Sequence, residues 1–549
     1  MNYNNPTFWL LFLGVFAFYW RLSHRRQNDL VLVASYVFSG FWDYRFLFLI
    51  LISTVIDFIG GLGVAGIELP RERRTRLFVL LVGSALLLCT NVGYPALFSG
   101  LAHLDAHAIL AALPHRLADY YVPLGTAAAC LAYSAVLPAL YRAPADRRRR
   151  LFLTISMVAN LAILAFFKYC DFFIGSFVNL LHAFGVENVD VHMLGILLPP
   201  GISFYTFQAM SYTIDVYRGD AEPTDNLRDF ALFVCFFPHL VAGPIMRAHT
   251  LLPQVVRPRQ RRPGDAEEGL ALVAIGLFKK IVVADNLAGI ANMVHFQFDP
   301  GSHTVPTGFE ALIGMYAFTL QIYCDFSGYS AVARGISKWL GFDLMVNFRM
   351  PFLAVSPSDF WRRWHISLST WLRDYLYIPL GGNRYGKLLE HRNLLITMGL
   401  GGLWHGANFT FIVWGLYHGA LLCLDRILGL RKLASAKGLP RALGIFVTFH
   451  LVCIGFVFFR ASSIGAAGAM LERMVTDFTV TPVALTMLGL VAFHFAPLFL
   501  LETITEGEER LDRLFTASWP RQVLAYGYLV FMLVVFPAVQ AHEFIYFQF

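Results

Sequence analysis

Of 549 residues, 57% are hydrophobic and only 14% charged, against roughly a quarter charged in soluble domains. The net charge of +7 falls in short clusters between apolar stretches, which argues against a nucleic-acid-binding surface and for a polytopic membrane protein. HExxH, paired Cys/His ligand spacing, a Gly-rich phosphate loop and a GxSxG elbow are all missing, so a metal site, an ATP-driven pump and a serine hydrolase are disfavoured.

In chain order, the clearest apolar stretches are 77–97, 122–140, 151–173, 309–326, 443–459, 483–501 and 523–539. Each is near the length that crosses about 30 Å of hydrocarbon as a helix. With less distinct stretches included, roughly eleven to thirteen membrane segments are expected. The basic clusters at 21–26, 71–76, 142–150, 257–262 and 426–441 place those loops in the cytoplasm. The N-terminus and the sparsely charged connections 101–119 and 298–307 are expected outside. Charges follow the first apolar run instead of preceding it, so a cleaved signal peptide is not expected. The seven cysteines, at 89, 130, 170, 235, 324, 423 and 453, lie in or beside apolar stretches without a CxxC pair. They read as small core residues, not disulfides or metal ligands.

The chain divides into generic helices at 1–150, a core at 151–425 and generic helices again at 426–549. In the core, polar and helix-breaking residues enter apolar sequence: Pro199-Pro-Gly201-Ile-Ser-Phe-Tyr-Thr-Phe-Gln208, Phe236-Phe-Pro-His239-Leu-Val-Ala-Gly-Pro244 and Tyr323-Cys-Asp325-Phe-Ser-Gly-Tyr-Ser330. Irregular backbone at membrane depth survives only against protein or a watery cavity. These segments predict a solvated interior or re-entrant pieces.

The chemistry-bearing residues lie at the end of this core. Residues 359–377 are expected to form a helix at the membrane boundary, capped by Ser358 or Asp359 and ended by Pro379-Leu-Gly-Gly382. Helical spacing puts Trp361, His365, Leu368 and Leu372 on one face and Arg362, Ser369 and Arg373 on another. One reading is an interfacial amphipathic helix. The other has Arg362, Arg363 and Arg373 meeting an anionic substrate such as the phosphates of coenzyme A. His405, in Gly401-Gly-Leu-Trp-His405-Gly-Ala-Asn408, sits in otherwise apolar sequence. An imidazole there suits proton transfer, since it titrates near neutral pH. Asn408 shares its helical face and is expected to fix its ring. His418, His239 and Asp325 are weaker candidates, each also readable as a satisfied structural group.

These blocks, with Phe166-Phe-Lys-Tyr169, Ser211-Tyr-Thr-Ile-Asp-Val-Tyr-Arg218, Phe458-Phe-Arg-Ala461 and the terminal Phe-Ile-Tyr-Phe-Gln-Phe549, resemble the membrane-bound O-acyltransferase (MBOAT) family. The likeness is to its bacterial branch of alginate-like polysaccharide O-acetylation and teichoic-acid D-alanylation. It implies an all-α transmembrane core pierced by a tunnel, with His405 as the signature histidine and His365 as its upstream polar partner. It further implies a multi-pass protein of the bacterial inner membrane that uses acetyl-CoA or another acyl thioester as substrate, with no cofactor. A periplasmic SGNH-type acetyltransferase, a polysaccharide biosynthesis and export complex and membrane lipid are the implied partners.

On that reading, His405 is the general base on an acceptor hydroxyl. His365 orients a substrate or stabilises charge on the thioester oxygen. Trp364, Arg362, Arg363, Arg373, Asp325, Asn408 and His418 support them or bind substrate. Two other classes compete: a transporter of an acyl or glycan intermediate, whose broken helices would look alike, and a non-catalytic scaffold of a secretion complex. The transporter lacks an internal repeat to support it.

Overall fold

The computed structural model describes residues 3–186, 191, 193–240, 243–299, 301–302, 304–506, 508, 511–515, 518–540 and 542–547, and every regular element among them is a helix. Six are long and apolar enough to cross a membrane: Phe46–Ala65, Leu117–Arg142, Ala145–Ala183, Phe409–Leu428, Leu439–Arg460 and Pro482–Thr505. Helices Arg71–Cys89 and Tyr94–His103, bent by 98° at their junction, add a seventh if taken as one span. The chain is a multi-pass membrane protein. Counting apolar stretches gave more segments than there are straight spans, for a physical reason. Some stretches fold as helices too short to cross alone, such as Pro6–Tyr19 and Trp519–Val535. Others, such as the 32-residue Gly308–Trp339, carry polar residues through the core.

Gly308–Trp339 is that core, buried along most of its length. Its neighbour Asp265–Leu277 lies backbone to backbone with it. A Cβ on Gly276 would sit 2.6 Å from the carbonyl oxygen of Gly328, and one on Gly328 would sit 2.8 Å from that of Gly276. The expected interruption at 323–330 is therefore not one: the helix runs through it unbroken. Its polar groups are satisfied by partners instead. Lys280 pairs with Asp325 at 2.8 Å and with Asp285 at 2.7 Å, while the Tyr323 hydroxyl donates to Glu502 at 2.6 Å. Lys280 lies on a π-helical stretch, Phe278–Ala284, the kind of helical irregularity that clusters at functional sites.

The other two interruptions are present. After Pro199-Pro200, Gly201 takes a left-handed conformation (φ 75°), and the buried helix Ile202–Arg218 begins. Phe236 separates Leu227–Cys235 from the short helix Phe237–Leu240; residues 241–242 of that stretch, residues 300 and 303 of the connection 298–307 and residues 548–549 of the terminal block lie outside the described residues. Helices Phe46–Ala65, Ala145–Ala183 and Ile202–Arg218 are locked together by Asp57. Its carboxylate accepts from Thr213 Oγ1 and Asn160 Nδ2, both at 2.8 Å, and from Ser156 Oγ. All seven cysteines are free thiols, four of them buried.

Candidate active site

The predicted continuous helix at 359–377 is broken at its histidine. Helix Pro357–Arg363 starts on Ser356, whose side chain accepts from Asp359 N, so the cap is neither Ser358 nor Asp359. The chain then extends at Trp364 and turns left-handed at His365 (φ 42°, ψ 54°). Helix Ile366–Leu372 follows, running on into a π-turn over Arg373–Tyr377. A non-glycine residue at positive φ is held there by its surroundings. Asn347 does the holding. Its carbonyl accepts from Ile366 N at 3.0 Å, and its side-chain oxygen accepts from Ser367 N at 3.2 Å and Ser367 Oγ at 3.0 Å. The expected face of Trp361, His365, Leu368 and Leu372 is thus not one helical stripe; the kink swings His365 into the core, fully buried.

The same amide sets the ring's tautomer. His365 Nδ1 lies 3.3 Å from Asn347 Oδ1, and the Asn347 Nδ2 donates to Ser330 Oγ at 3.2 Å, which fixes the amide's orientation. An amide oxygen only accepts, so Nδ1 carries the proton and Nε2 of the neutral ring keeps its lone pair. That Nε2 is buried with no hydrogen-bond partner among the described residues.

His405 is the last residue of helix Lys387–His405, roughly 28 Å from its start at 1.5 Å per residue. The helix turns back tightly into Phe409–Leu428. A Cβ on Gly402 would meet the Phe411 carbonyl oxygen at 2.1 Å and Gly415 Cα at 3.1 Å, so this glycine allows the approach. The last carbonyls of the helix are satisfied from one side by Ala145–Ala183. Lys168 Nζ donates to the carbonyls of Trp404 at 2.6 Å and His405 at 2.9 Å, and the Tyr169 hydroxyl to that of Leu403 at 2.8 Å.

The two imidazoles share one aromatic chamber, their ring centres 6.5 Å apart. Phe326 lies 4.6 Å from His365. Trp414 and Phe459 lie 5.0 and 5.2 Å from His405. Tyr546 touches both, at 6.4 Å from His365 and 5.4 Å from His405. His405 Nδ1 is buried without a partner among the described residues. Beside the chamber, a cavity of roughly 60 Å³ is lined by Trp42, Lys168, Gly201, Ser203, Trp404 and Tyr546, among others.

The remaining predicted residues are placed as follows. Trp364 is buried behind His365, stacked on Phe360 at 5.5 Å. Arg362 and Arg363 both pair with Asp359, at 3.4 and 3.0 Å, and Arg373 pairs with Asp374 at 2.7 Å. Asn408 does not share a helix with His405, because that helix ends at His405. It caps Phe409–Leu428 by accepting from Thr410 N at 3.0 Å and donates to the Ser462 carbonyl at 3.2 Å. Among the described residues no hydrogen bond joins it to the His405 ring, and its amide is engaged elsewhere. His418 stands behind Trp414, whose ring is 4.9 Å from it and 5.0 Å from His405. His239 meets Gln208 Oε1 at 2.7 Å. Asp325 anchors the C-terminal segment: Oδ2 accepts from Ile545 N at 2.7 Å, which seats Tyr546 beside the histidines.

Sequence reasoning missed three residues. Asn347 carries no signal, lying in irregular chain upstream of the histidine it orients. Lys168 does carry one, a cation deep in an apolar 39-residue helix. Tyr546 belongs to the aromatic terminal block, too far along the chain for spacing to connect it with either histidine.

Two buried imidazoles side by side in a helical membrane protein are the costly intramembrane polar groups that mark proton transfer, ion passage or substrate contact. The model of MBOAT, the membrane-bound O-acyltransferase family, matches residues 152–460; the chain belongs to this family and is an O-acyltransferase. The probable alginate O-acetylase AlgI of Pseudomonas aeruginosa is 38% identical over 478 residues, 86% of this chain and 75% of the relative. The protein of the same name from Azotobacter vinelandii is 37% identical over 486 residues, 88% of this chain and 80% of the relative. The peptidoglycan O-acetyltransferase of Helicobacter pylori is 36% identical over 381 residues, 65% of this chain and 70% of the relative.

Proposed function

We propose that the chain takes an acetyl group from acetyl-CoA on the cytoplasmic side of the bacterial inner membrane and passes it across for O-acetylation of a secreted or cell-surface polysaccharide. A periplasmic SGNH-type acetyltransferase completes transfer to the polymer, within a polysaccharide biosynthesis and export complex. The observation that carries this reading is the pair of buried imidazoles, 6.5 Å apart, each with a buried ring nitrogen that no hydrogen bond occupies among the described residues. The names of the relatives, alginate and peptidoglycan O-acetylating proteins, support a polysaccharide as final acceptor.

A thioester is already activated, so the protein needs to supply a base and placement. His405 takes the proton of the acceptor hydroxyl as its oxygen attacks the thioester carbonyl. The C–S bond then breaks, and the thiolate leaves with the proton as coenzyme A. Of the two roles open to His365, the tautomer set by Asn347 favours orienting the acceptor. With Nδ1–H committed, the neutral ring has only a lone pair at Nε2 and accepts from a hydroxyl instead of donating to an oxyanion.

The test uses proteoliposomes with radiolabelled acetyl-CoA supplied to one face and polymer plus the SGNH-type partner on the other. The reading predicts coenzyme A on the donor face and label in the polymer. Label crossing as intact acetyl-CoA would instead make the chain a transporter.

A further inference from the structure

Lys168 is a cation on a membrane-spanning helix, and among the described residues no carboxylate pairs with it. Its ammonium is spent on the end of the helix that carries His405. An α-helix leaves its last four carbonyls without internal partners and carries partial negative charge there. Here the carbonyls of Leu403, Trp404 and His405 receive Tyr169 and Lys168 at 2.6–2.9 Å. The third ammonium direction points at Ser203 Oγ, 3.4 Å away, on helix Ile202–Arg218. That helix also bears Phe204, whose ring faces His365 at 6.3 Å. Immediately beyond His405 the backbone extends through Gly406 (φ −162°), so no further helical turn holds the histidine from its C-terminal side.

We propose that Lys168 is a positioning residue for acyl transfer: by clamping the carbonyls of Trp404 and His405 it fixes the His405 imidazole against His365. This rests on His405 acting as the base. Lys168 touches no reacting atom in the proposal; it acts through the backbone of the base. Misplacing a catalytic group by about 1 Å can cost on the order of 100-fold in rate, which sets the size of the loss expected when the clamp is removed.

The experiment measures kcat and KM for acetyl-CoA, and the melting midpoint, for wild type, Lys168→Met, Lys168→Arg and His405→Ala in nanodiscs. Met keeps the aliphatic stem and removes the ammonium; Arg keeps a cation with donors. The expected result is kcat for Lys168→Met down about 100-fold with KM within about twofold, and at least a tenth of wild-type kcat regained in Lys168→Arg. A merely structural lysine would lower kcat in step with the folded fraction. Lys168→Met within threefold of wild type, a loss carried by KM, or equal losses in Met and Arg that follow the melting midpoint would each overturn the proposal. If His405→Ala stays dead while Lys168→Met is active, the inference alone fails. If His405→Ala is active, the base assignment fails and the clamp has nothing to act through.

Discussion

Replacing Asn347 with Leu, close in volume but without an amide, should disable the enzyme more than its distance from any substrate suggests. Three donors converge on Asn347 Oδ1: His365 Nδ1 at 3.3 Å, Ser367 N at 3.2 Å and Ser367 Oγ at 3.0 Å. The Ser367 hydroxyl, 3.5 Å from His365 Nδ1, can turn to satisfy the ring, which leaves two buried groups to lose their partner. At about 1–3 kcal/mol for each unsatisfied group, the cost is roughly 2–6 kcal/mol, borne by the left-handed turn at His365. Acyl transfer should fall by about 100-fold or more, since the ring loses the amide that holds its orientation. Asn347→Asp, which keeps the acceptor oxygen, should retain more activity than the leucine variant. The assay pairs thermal unfolding in detergent with thioester-dependent coenzyme A release. Wild-type melting together with activity within threefold for Asn347→Leu would refute the reasoning.

Asn408→Ala removes a helix cap and should lower stability by about 1 kcal/mol while leaving acyl transfer within a few-fold; a loss comparable to that of His405→Ala would restore its expected hold on the imidazole. Lys280→Met strands Asp285 and Asp325 as unpaired buried carboxylates, an expected cost of about 3–5 kcal/mol. Because Asp325 also tethers Ile545, limited proteolysis should then clip the C-terminal segment faster than in wild type, and equal cleavage would argue against that anchor. Gly402→Val forces a side chain into the Phe411 carbonyl, so the protein should express poorly or melt well below wild type; an unchanged melting curve would contradict the close turn between the two helices.

Much of the architecture was legible in the residues. Apolar stretches at 122–140, 151–173, 443–459 and 483–501 fall inside four of the spanning helices, because hydrophobic length is set by the bilayer and reads directly. The two histidines stood out because imidazole in apolar sequence needs a reason. What was not legible depended on partners far along the chain. Helical periodicity runs through 359–377 without a gap, yet Asn347 imposes the left-handed turn at His365. Polar residues at 323–330 look like a break, yet Lys280 neutralises Asp325, and Gly328 is needed for contact with Gly276 and not for a turn. Asn408 has helical spacing from His405, but spacing has meaning only while the helix lasts, and it stops one residue short of Gly406.

The central claim is that His405 is the base of acyl transfer, with His365 orienting what it acts on. Single-turnover release of coenzyme A from purified protein, with its acceptor partner present, tests it most directly when wild type, His405→Ala and His365→Ala are compared at matched folded fractions. The account predicts a loss of about 100- to 10,000-fold in the rate of release for His405→Ala and a smaller loss for His365→Ala. Release by His405→Ala at the wild-type rate, or a larger loss in His365→Ala than in His405→Ala, would contradict it.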